Sequence, residues 1–280
     1  MKMDLSIIII TLNNKKILEG CINSVKQFTS SISYELIVVD NNSNDGTQAL
    51  IRSKYPGVTL IENNKNLGYS GANNMGLNIA KGRYSVLLND DTYVKDDSFG
   101  KLVAFLDNEP DIGVCGPKLL NTDGSIQLQG SFLSSRKWRS NDPAEVSFVI
   151  GACMFIRMII IKKIGLLDEN LFFYNDDLDL CKRARSAGFK VVYYPDAQVF
   201  HYGGYSSKRS PSKQLMIEGF RGGLYFCRKH YGPIIYVFYS IPLLLFTVIM
   251  MLFSLNKKEK FSAYFEIFKI ITTKQIVYKT

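Results

Sequence analysis

Five short runs of apolar, largely β-branched residues recur through the first 116 positions, and they restrict the fold more than any other feature. They are "LSIIIIT" (Leu5–Thr11), "ELIVVDN" (35–41), "VTLIEN" (58–63), "YSVLLND" (84–90) and "IGVCGP" (112–117). Between them apolar residues recur at helical spacing: Ile17, Leu18, Cys21, Ile22, Val25 and Phe28, and later Leu102, Phe105 and Leu106. A strand that is apolar on both faces must be covered on both faces. Strand and helix in alternation therefore predict an α/β fold, a mostly parallel sheet flanked by helices.

Open parallel sheets bind ligands beyond the carboxyl ends of their strands, and those ends are polar here. Strand one runs into Thr11, Leu12 and Asn13. Strand two runs into Asp40, Asn41, Asn42 and Ser43, then Asp45 and Gly46. Strand three leads into "ENNKNLGYSGANNMG" (62–76), which contains Asn66 and Gly68. Strand four ends in Asn89, Asp90 and Asp91. Asp, Asn and Gly are ordinary turn residues, so each end alone reads as a loop cap. Four such ends on one rim read as a site. Adjacent carboxylates also repel unless something cationic lies beside them: a helix N-terminus, a basic side chain or a metal ion.

Farther along, residues 121–146 are polar and irregular and carry the only tryptophan, Trp138. A long loop of this kind in a compact domain is usually functional or disordered. A strand is expected at 148–156, a helix at 159–164, a helix at 178–187 ending at Gly188, and a strand at 190–194. Asp176 and Asp177 then fall at a helix N-terminus, where the dipole favours acids, which is an innocent reading for both.

The charge is lopsided. Residues 1–200 hold 22 Lys+Arg and 22 Asp+Glu, whereas residues 201–280 hold 12 and 3, so the whole net charge of +9 sits in the last 80 residues. That points to an anionic partner at this end. The same region contains "PIIYVFYSIPLLLFTVIMMLFSL" (233–255), 23 residues without a charge, flanked by Arg228, Lys229 and His230 on one side and Lys257, Lys258 and Lys260 on the other. At ~1.5 Å per residue this is long enough for a bilayer core of about 30 Å. Basic residues on both sides give no clear orientation, so spanning and lying in one leaflet, with Pro242 as a bend, both stay open. Basic residues interleaved with so long an apolar run suit lipid rather than nucleic acid.

Five cysteines without a C-x-x-C pair argue against a disulfide framework or a zinc site and for free thiols in a reducing compartment. The first apolar run is too short for a secretory signal, so the N-terminal part is expected in the cytoplasm. No G-x-x-x-x-G-K-[ST] or G-x-G-x-x-G follows strand one, which excludes a P-loop NTPase and a dinucleotide oxidoreductase.

The ordered set "SIIIITLNN", "IVVDNNSNDGT", "ENNKNLGYSGANNMG", "LLNDDT", "GACMFIR", "FFYNDDLDLCKRARSAG" and "HYGG" resembles the inverting family 2 glycosyltransferases of GT-A fold, especially their rhamnosyltransferase-like and galactofuranosyltransferase-like branch. The resemblance runs from about residue 5 to residue 204. It implies that Thr11, Asn13, Asp40 and Asn41 hold the base and ribose of a nucleotide-sugar. It places Asp45, Asn66 and Gly68 in the nucleotide-pocket loops and Asn89 and Asp90 beside the donor. "LLNDDT" matches the D-x-D metal motif as Asn89-x-Asp91, with an uncharged Asn in the first acid position. Asp91 becomes the principal ligand of Mn²⁺ or Mg²⁺, with Asn89 and His201 as further metal residues. Asp176-Asp177 matches the segment bearing the catalytic base, which falls to Asp177.

The chemistry asks for these residue types. A divalent cation neutralises the diphosphate leaving group as its charge grows, and a carboxylate takes the proton of the attacking hydroxyl. The implied partners are a nucleotide-diphosphate sugar, a lipid-linked or oligosaccharide acceptor and the cytoplasmic face of the cell membrane, for synthesis of surface polysaccharide. The domains expected are a GT-A domain at 1–205, a basic helical connector at 206–232 and a membrane-associated segment at 233–280. A nucleotidyltransferase and a membrane-anchored nucleotide-sugar binding protein that has lost catalysis are the competing readings. The first usually carries a basic, Gly-rich loop after strand one, and only the substituted Asn89 supports the second.

Overall fold

In the computed structural model, which describes residues 3–130, 135–203, 212–274 and 276, the chain divides into two compact units. Part of the polar loop and of the basic connector, together with Gly204, lies outside the described residues.

The first unit follows the alternation. Strand β1 (Leu5–Thr11) is followed by α1 (Lys15–Phe28), β2 (Tyr34–Asp40), α2 (Thr47–Lys54), β3 (Thr59–Glu62), α3 (Gly68–Ile79) and β4 (Tyr84–Asn89). Then come β5 (Thr92–Tyr93), α4 (Ser98–Asn108), β6 (Ile112–Leu120), α5 (Ser135–Trp138), β7 (Ala144–Glu145), β8 (Cys153–Arg157), α6 (Met158–Ile164), α7 (Asp176–Ser186) and β9 (Lys190–His201). All nine strands form one sheet, ordered β3-β2-β1-β4-β8-β6-β9-β5, with β7 on β9. Strand β1 lies between β2 and β4, parallel to both. The chain reverses direction across the sheet there, which is the switch point where open α/β sheets bind ligands.

Period-two alternation within the apolar strands supplies both cores. Ile7, Ile9 and Leu88 pack with Leu18, Ile22, Val25, Leu102 and Leu106 on one face. Ile8, Val39 and Leu87 pack with Ala72, Leu77, Ile160, Leu180 and Ala184 on the other. At Gly76 a Cβ would stand 2.5 Å from Cγ2 of Ile8, so only glycine lets α3 come this close to β1.

The structure differs from the sequence reading in the second half of the sheet. Strand β8 runs antiparallel to both β4 and β6, so the sheet is mixed. The strand expected at 148–156 forms only over Cys153–Arg157, because Gly151 and Ala152 turn the chain into it. Strand β9 continues past the expected residue 194 to His201, through an irregularity opposite Pro117 and Lys118 that lets it keep pairing with β6.

The second unit comprises Asp168–Asp176 and, among the described residues, α8 (Ser212–Phe253) and α9 (Lys258–Thr273). The two helices enclose a small apolar core of Leu224, Tyr236, Tyr264, Ile267, Ile270 and Ile271. The break in α8 falls at Gly232, whose backbone is non-helical (φ 78°, ψ −178°), and not at Pro242. Pro233 follows at once, in the first turn of the next helical stretch, where its missing N–H costs nothing. The helix over Lys213–Phe253 is long and apolar enough to cross a membrane. Its apolar side chains are conspicuously uncovered: Phe238 is 73% exposed, Ile234 71% and Phe253 80%.

Candidate active site

Strand register puts the polar ends in line. Thr11 pairs with Asp40, Asp40 with Glu62, and Ile10 with Asn89, so all four strands deliver their last residues to one rim. Asp40 is fully buried. One carboxylate oxygen accepts the Ser43 N–H at 3.1 Å and the Gln48 side-chain amide at 2.6 Å. The other, Oδ1, is buried with no partner, a group that costs free energy unless a ligand donates to it.

Asn41 uses its side chain within the protein. Its Nδ2 donates to Asn66 Oδ1 at 2.7 Å and to the Gly68 carbonyl at 3.3 Å, and its Oδ1 accepts from the Leu67 N–H at 2.9 Å and Asn63 Nδ2 at 3.2 Å. It thereby shapes the turn into α3, where Gly68 holds a positive φ of 72° and its N–H reaches Asn66 Oδ1 at 2.9 Å. Asn13, also at positive φ (52°), donates its N–H to Ser43 Oγ at 2.8 Å and accepts the Asn44 N–H at 2.7 Å, joining the first two loops. Asp45 accepts the Lys15 N–H at the head of α1 and both the N–H and hydroxyl of Thr47. Partial burial raises its carboxyl, but the bonds from Thr47 and Lys15 outweigh that and hold it below the ordinary carboxylate range.

On the other side of β1 the three residues after strand β4's apolar run have distinct settings. The Asn89 side chain is half-buried, while its backbone N–H is tied to the Ala152 carbonyl at 3.0 Å. Asp90 is buried and accepts the Thr11 hydroxyl at 2.6 Å. Asp91 is 1% exposed, and its carbonyl accepts the Tyr202 N–H at 2.9 Å, while Thr92 pairs with His201 at the end of β9. This brings Oδ1 of Asp91 to 3.1 Å from Nε2 of His201. Both atoms are buried and neither makes a hydrogen bond. Two orphaned donors directed at each other, one anionic, fit a shared divalent cation. Among the described residues no group of three or more acidic, His or Cys donors converges. A two-donor site suits a cation whose remaining positions are filled by phosphate oxygens and water.

Asp177 lies in the first turn of α7. Its carboxylate accepts the Leu178 N–H at 2.8 Å and the backbone N–H of Gly151. Burial dominates these bonds and pushes the carboxyl up to about 6. Asp176 is buried at the head of the same helix. The carbonyl of the next residue, Ala152, holds Asn89, so adjacent backbone groups tie Asp177 and the acid-bearing end of β4 together. Tyr69, near the start of α3, donates its hydroxyl to the Gly151 carbonyl at 2.7 Å, and a Cβ on Gly151 would stand 2.3 Å from that oxygen. One glycine thus joins the head of α3, the acidic strand end and the raised carboxyl. Gly151 and Tyr69 lie inside quoted motifs but were given no role there, and Gln127, whose Oε1 lies 2.7 Å from His201 Nδ1, lies outside every quoted motif. They act through a backbone amide, a phenol hydroxyl and a side-chain amide respectively, and no motif spacing announces that.

The sequence profile described as "Glycosyl transferase family 2" matches residues 6–165, more than half of the chain. The chain belongs to glycosyl transferase family 2. A second profile, "Glycosyl transferase family group 2", matches this glycosyltransferase over residues 86–256. Among curated relatives, the N-acetylglucosaminyl-diphospho-decaprenol L-rhamnosyltransferase of Mycobacterium tuberculosis is 26% identical over 251 residues, covering 74% of this chain and 81% of the relative. The dTDP-rhamnosyl transferase RfbF of Shigella flexneri is 24% identical over 212 residues (72% and 70%). The rhamnosyltransferase-like branch is therefore the right neighbourhood. Among solved structures, the mannosyltransferase PcManGT from Pyrobaculum calidifontis in complex with GDP-Man and Mn²⁺ superposes with a TM-score of 0.62 at 16% identity, covering 99% of this chain and 87% of that one. GalNAc-T7 with UDP, GalNAc and Mn²⁺ gives 0.63 at 17% identity, covering 81% and 48%. At these identities the likeness is one of fold, and the fold is GT-A.

Proposed function

We propose that this glycosyltransferase moves a sugar from a nucleotide-diphosphate donor to a hydroxyl of a lipid-linked or oligosaccharide acceptor, with inversion and with a divalent cation. The observation that carries the reading is the orphaned pair, Asp91 Oδ1 and His201 Nε2, on the same rim as the free Asp40 oxygen. Asp40 accepts from the donor's base or ribose. Asn41, Asn66 and Gly68 fix the loop on which the nucleotide rests, and Asn13 and Asp45 hold the neighbouring turn. Thr11 anchors Asp90, and Asn89 borders the donor. Asp91 and His201 would hold Mn²⁺ or Mg²⁺, which would supply charge neutralisation at the departing diphosphate. Asp177, with a carboxyl near 6, is ionised at neutral pH yet basic enough to take the acceptor's proton. Asp176 supports the head of its helix.

The relative from M. tuberculosis is named for a diphospho-decaprenol acceptor, which supports a lipid diphosphate here and a role in cell-envelope glycan synthesis. The uncovered apolar face of α8 and the +9 charge of the last 80 residues support attachment to the cytoplasmic face of the membrane, where anionic headgroups favour basic residues. Deleting residues 233–280 should release the protein from membranes, and undiminished membrane recovery would refute the attachment.

The central test is thermal stabilisation by a panel of nucleotide-sugars, with and without Mn²⁺. One donor class should stabilise the wild type, more strongly with Mn²⁺, and Asp91→Asn should remove the Mn²⁺-dependent part. If no nucleotide-sugar stabilises the protein under either condition, the reading fails.

A further inference from the structure

We infer that Gln127 is a positioning residue that fixes the tautomer of His201, so that the Nε2 lone pair faces Asp91. The inference rests on the cation reading of that site and extends it to a residue outside the family motifs quoted above.

Residues after β6 fold back on it. Asn121 closes a turn by donating to Ser125 Oγ at 2.9 Å, Asp123 accepts the Ser125 N–H and hydroxyl, and the Gln127 N–H returns to the Leu119 carbonyl at 2.8 Å. This hairpin lays the Gln127 side chain against the end of β9. Its Nε2 donates to Asn121 Oδ1 at 3.2 Å, which settles the amide orientation and turns Oε1 toward His201. An amide oxygen only accepts. At 2.7 Å from Oε1, Nδ1 of His201 must therefore carry the proton.

The opposite side of the ring then decides the matter. Nε2 is 3.1 Å from Asp91 Oδ1, yet no hydrogen bond joins them and both atoms are buried without partners. A neutral ring protonated at Nδ1 presents a lone pair there, as a metal ligand does. Outer partners of this type commonly orient ligating histidines, and losing one costs ~10–100-fold in metal affinity. Gln127 belongs to the 121–130 segment and Asp91 to the β4–β5 turn, so the site depends on a hairpin remote from the acidic motif.

The chain contains only two histidines, His201 and His230, so ¹⁵N-histidine labelling of the full-length protein in detergent micelles gives two resolvable rings, assigned with His230→Gln. In the metal-free wild type His201 should show the Nδ1–H form. Gln127→Leu should shift it toward a mixture of tautomers and weaken Mn²⁺ binding, read by electron paramagnetic resonance, by ~10–100-fold. Gln127→Glu, which keeps an acceptor at the same reach, should retain the Nδ1–H form and bind Mn²⁺ within a few-fold of wild type. An Nε2–H ring in the metal-free wild type would overturn the inference without recourse to any variant. So would unchanged Mn²⁺ affinity in a folded Gln127→Leu protein. If the wild type binds no Mn²⁺ even with donor present, the cation reading itself falls, while the metal-free spectrum still reports what Gln127 does to the ring.

Discussion

The donor-side loops and the segment before Asp177 are built by opposite strategies. The donor side uses strand ends locked by register, and its loops are cross-tied: Asn13 to Ser43 and Asn44, Asn41 to Asn63, Asn66, Leu67 and Gly68, Thr11 to Asp90. The segment before the candidate base, Asp168–Asp176, belongs to the unit formed with α8 and α9. It carries two non-glycine residues in succession at positive φ, Tyr174 (69°) and Asn175 (64°). Such a conformation costs ~1–3 kcal/mol at a residue like Tyr and persists only where surrounding contacts enforce it. The contacts are Asp168 with Tyr225 and Lys229 on α8, and Asn175 with the Gly219 carbonyl. On the proposed reading this rim is the donor pocket, which needs one fixed shape, and strand register fixes it. The candidate base is preceded by a strained segment held by contacts to α8.

The sharpest break in that comparison is Asp177→Asn. It removes the proton acceptor and leaves the donor loops untouched, so kcat should fall ~10²–10⁴-fold while the nucleotide-sugar Kd stays within a few-fold. Isothermal titration beside a turnover assay measures both. Loss of donor binding in parallel with turnover would mean that the two regions are not separable. The next effect is in pH. Because Asp177 must be ionised to act, kcat/KM should drop about tenfold per pH unit below about 6 and flatten above it. The donor Kd should show no inflection from this group. Burial raises the folded carboxyl above its unfolded value, so ionising Asp177 costs stability as pH rises from about 4 to about 6, and the charge is tolerated for its chemistry.

The polar rim itself was legible in the residues, and its assignment to a donor came from the resemblance. "LSIIIIT" can only be a doubly covered strand, and the polar groups that end it and its neighbours had to share a rim. Asp90 and Asp91, adjacent in sequence, turned out to have different tasks: one is bonded to Thr11, the other faces His201. Alternation on a strand end predicts two directions but not the partners. What was illegible was set by distant pairing. The reversal of β8 and the return of the hairpin at 121–127 bring Gly151 and Gln127 to the acids, and the length of β9 delivers His201, which the resemblance had named without its pairing. Of the residues Asp168–Asp176, the sequence marked only Asp176, as a first-turn helix acid, and the motif that begins at Phe172. Their strain and their attachment to α8 depend on a chain segment some fifty residues later, which no local pattern encodes.

The mildest test acts on that attachment. Asp168 accepts Lys229 Nζ and the Tyr225 hydroxyl, both at 2.7 Å, with Asn170 alongside, and its side chain is 15% exposed. Partial burial pushes its carboxyl up, but Lys229, Tyr225 and Asn170 together overcome this and lower it to about 2. A carboxyl depressed by roughly two units from 3.8 stabilises the fold by about 2 kcal/mol above pH 4, and that contribution fades as pH falls from about 4 to about 2. Lys229→Ala should therefore lower the thermal midpoint by several degrees at neutral pH, and by much less at pH 3 if the protein remains folded there. The functional consequence distinguishes the two building strategies. Loosening the anchor should let Tyr174 and Asn175 relax toward negative φ and disturb the helix head that presents Asp177, so kcat should fall ~2–10-fold with the donor Kd unchanged. An equal rise in the donor Kd would show instead that the rim leans on this segment. An unchanged kcat would show that Asp177 is placed by Gly151 alone.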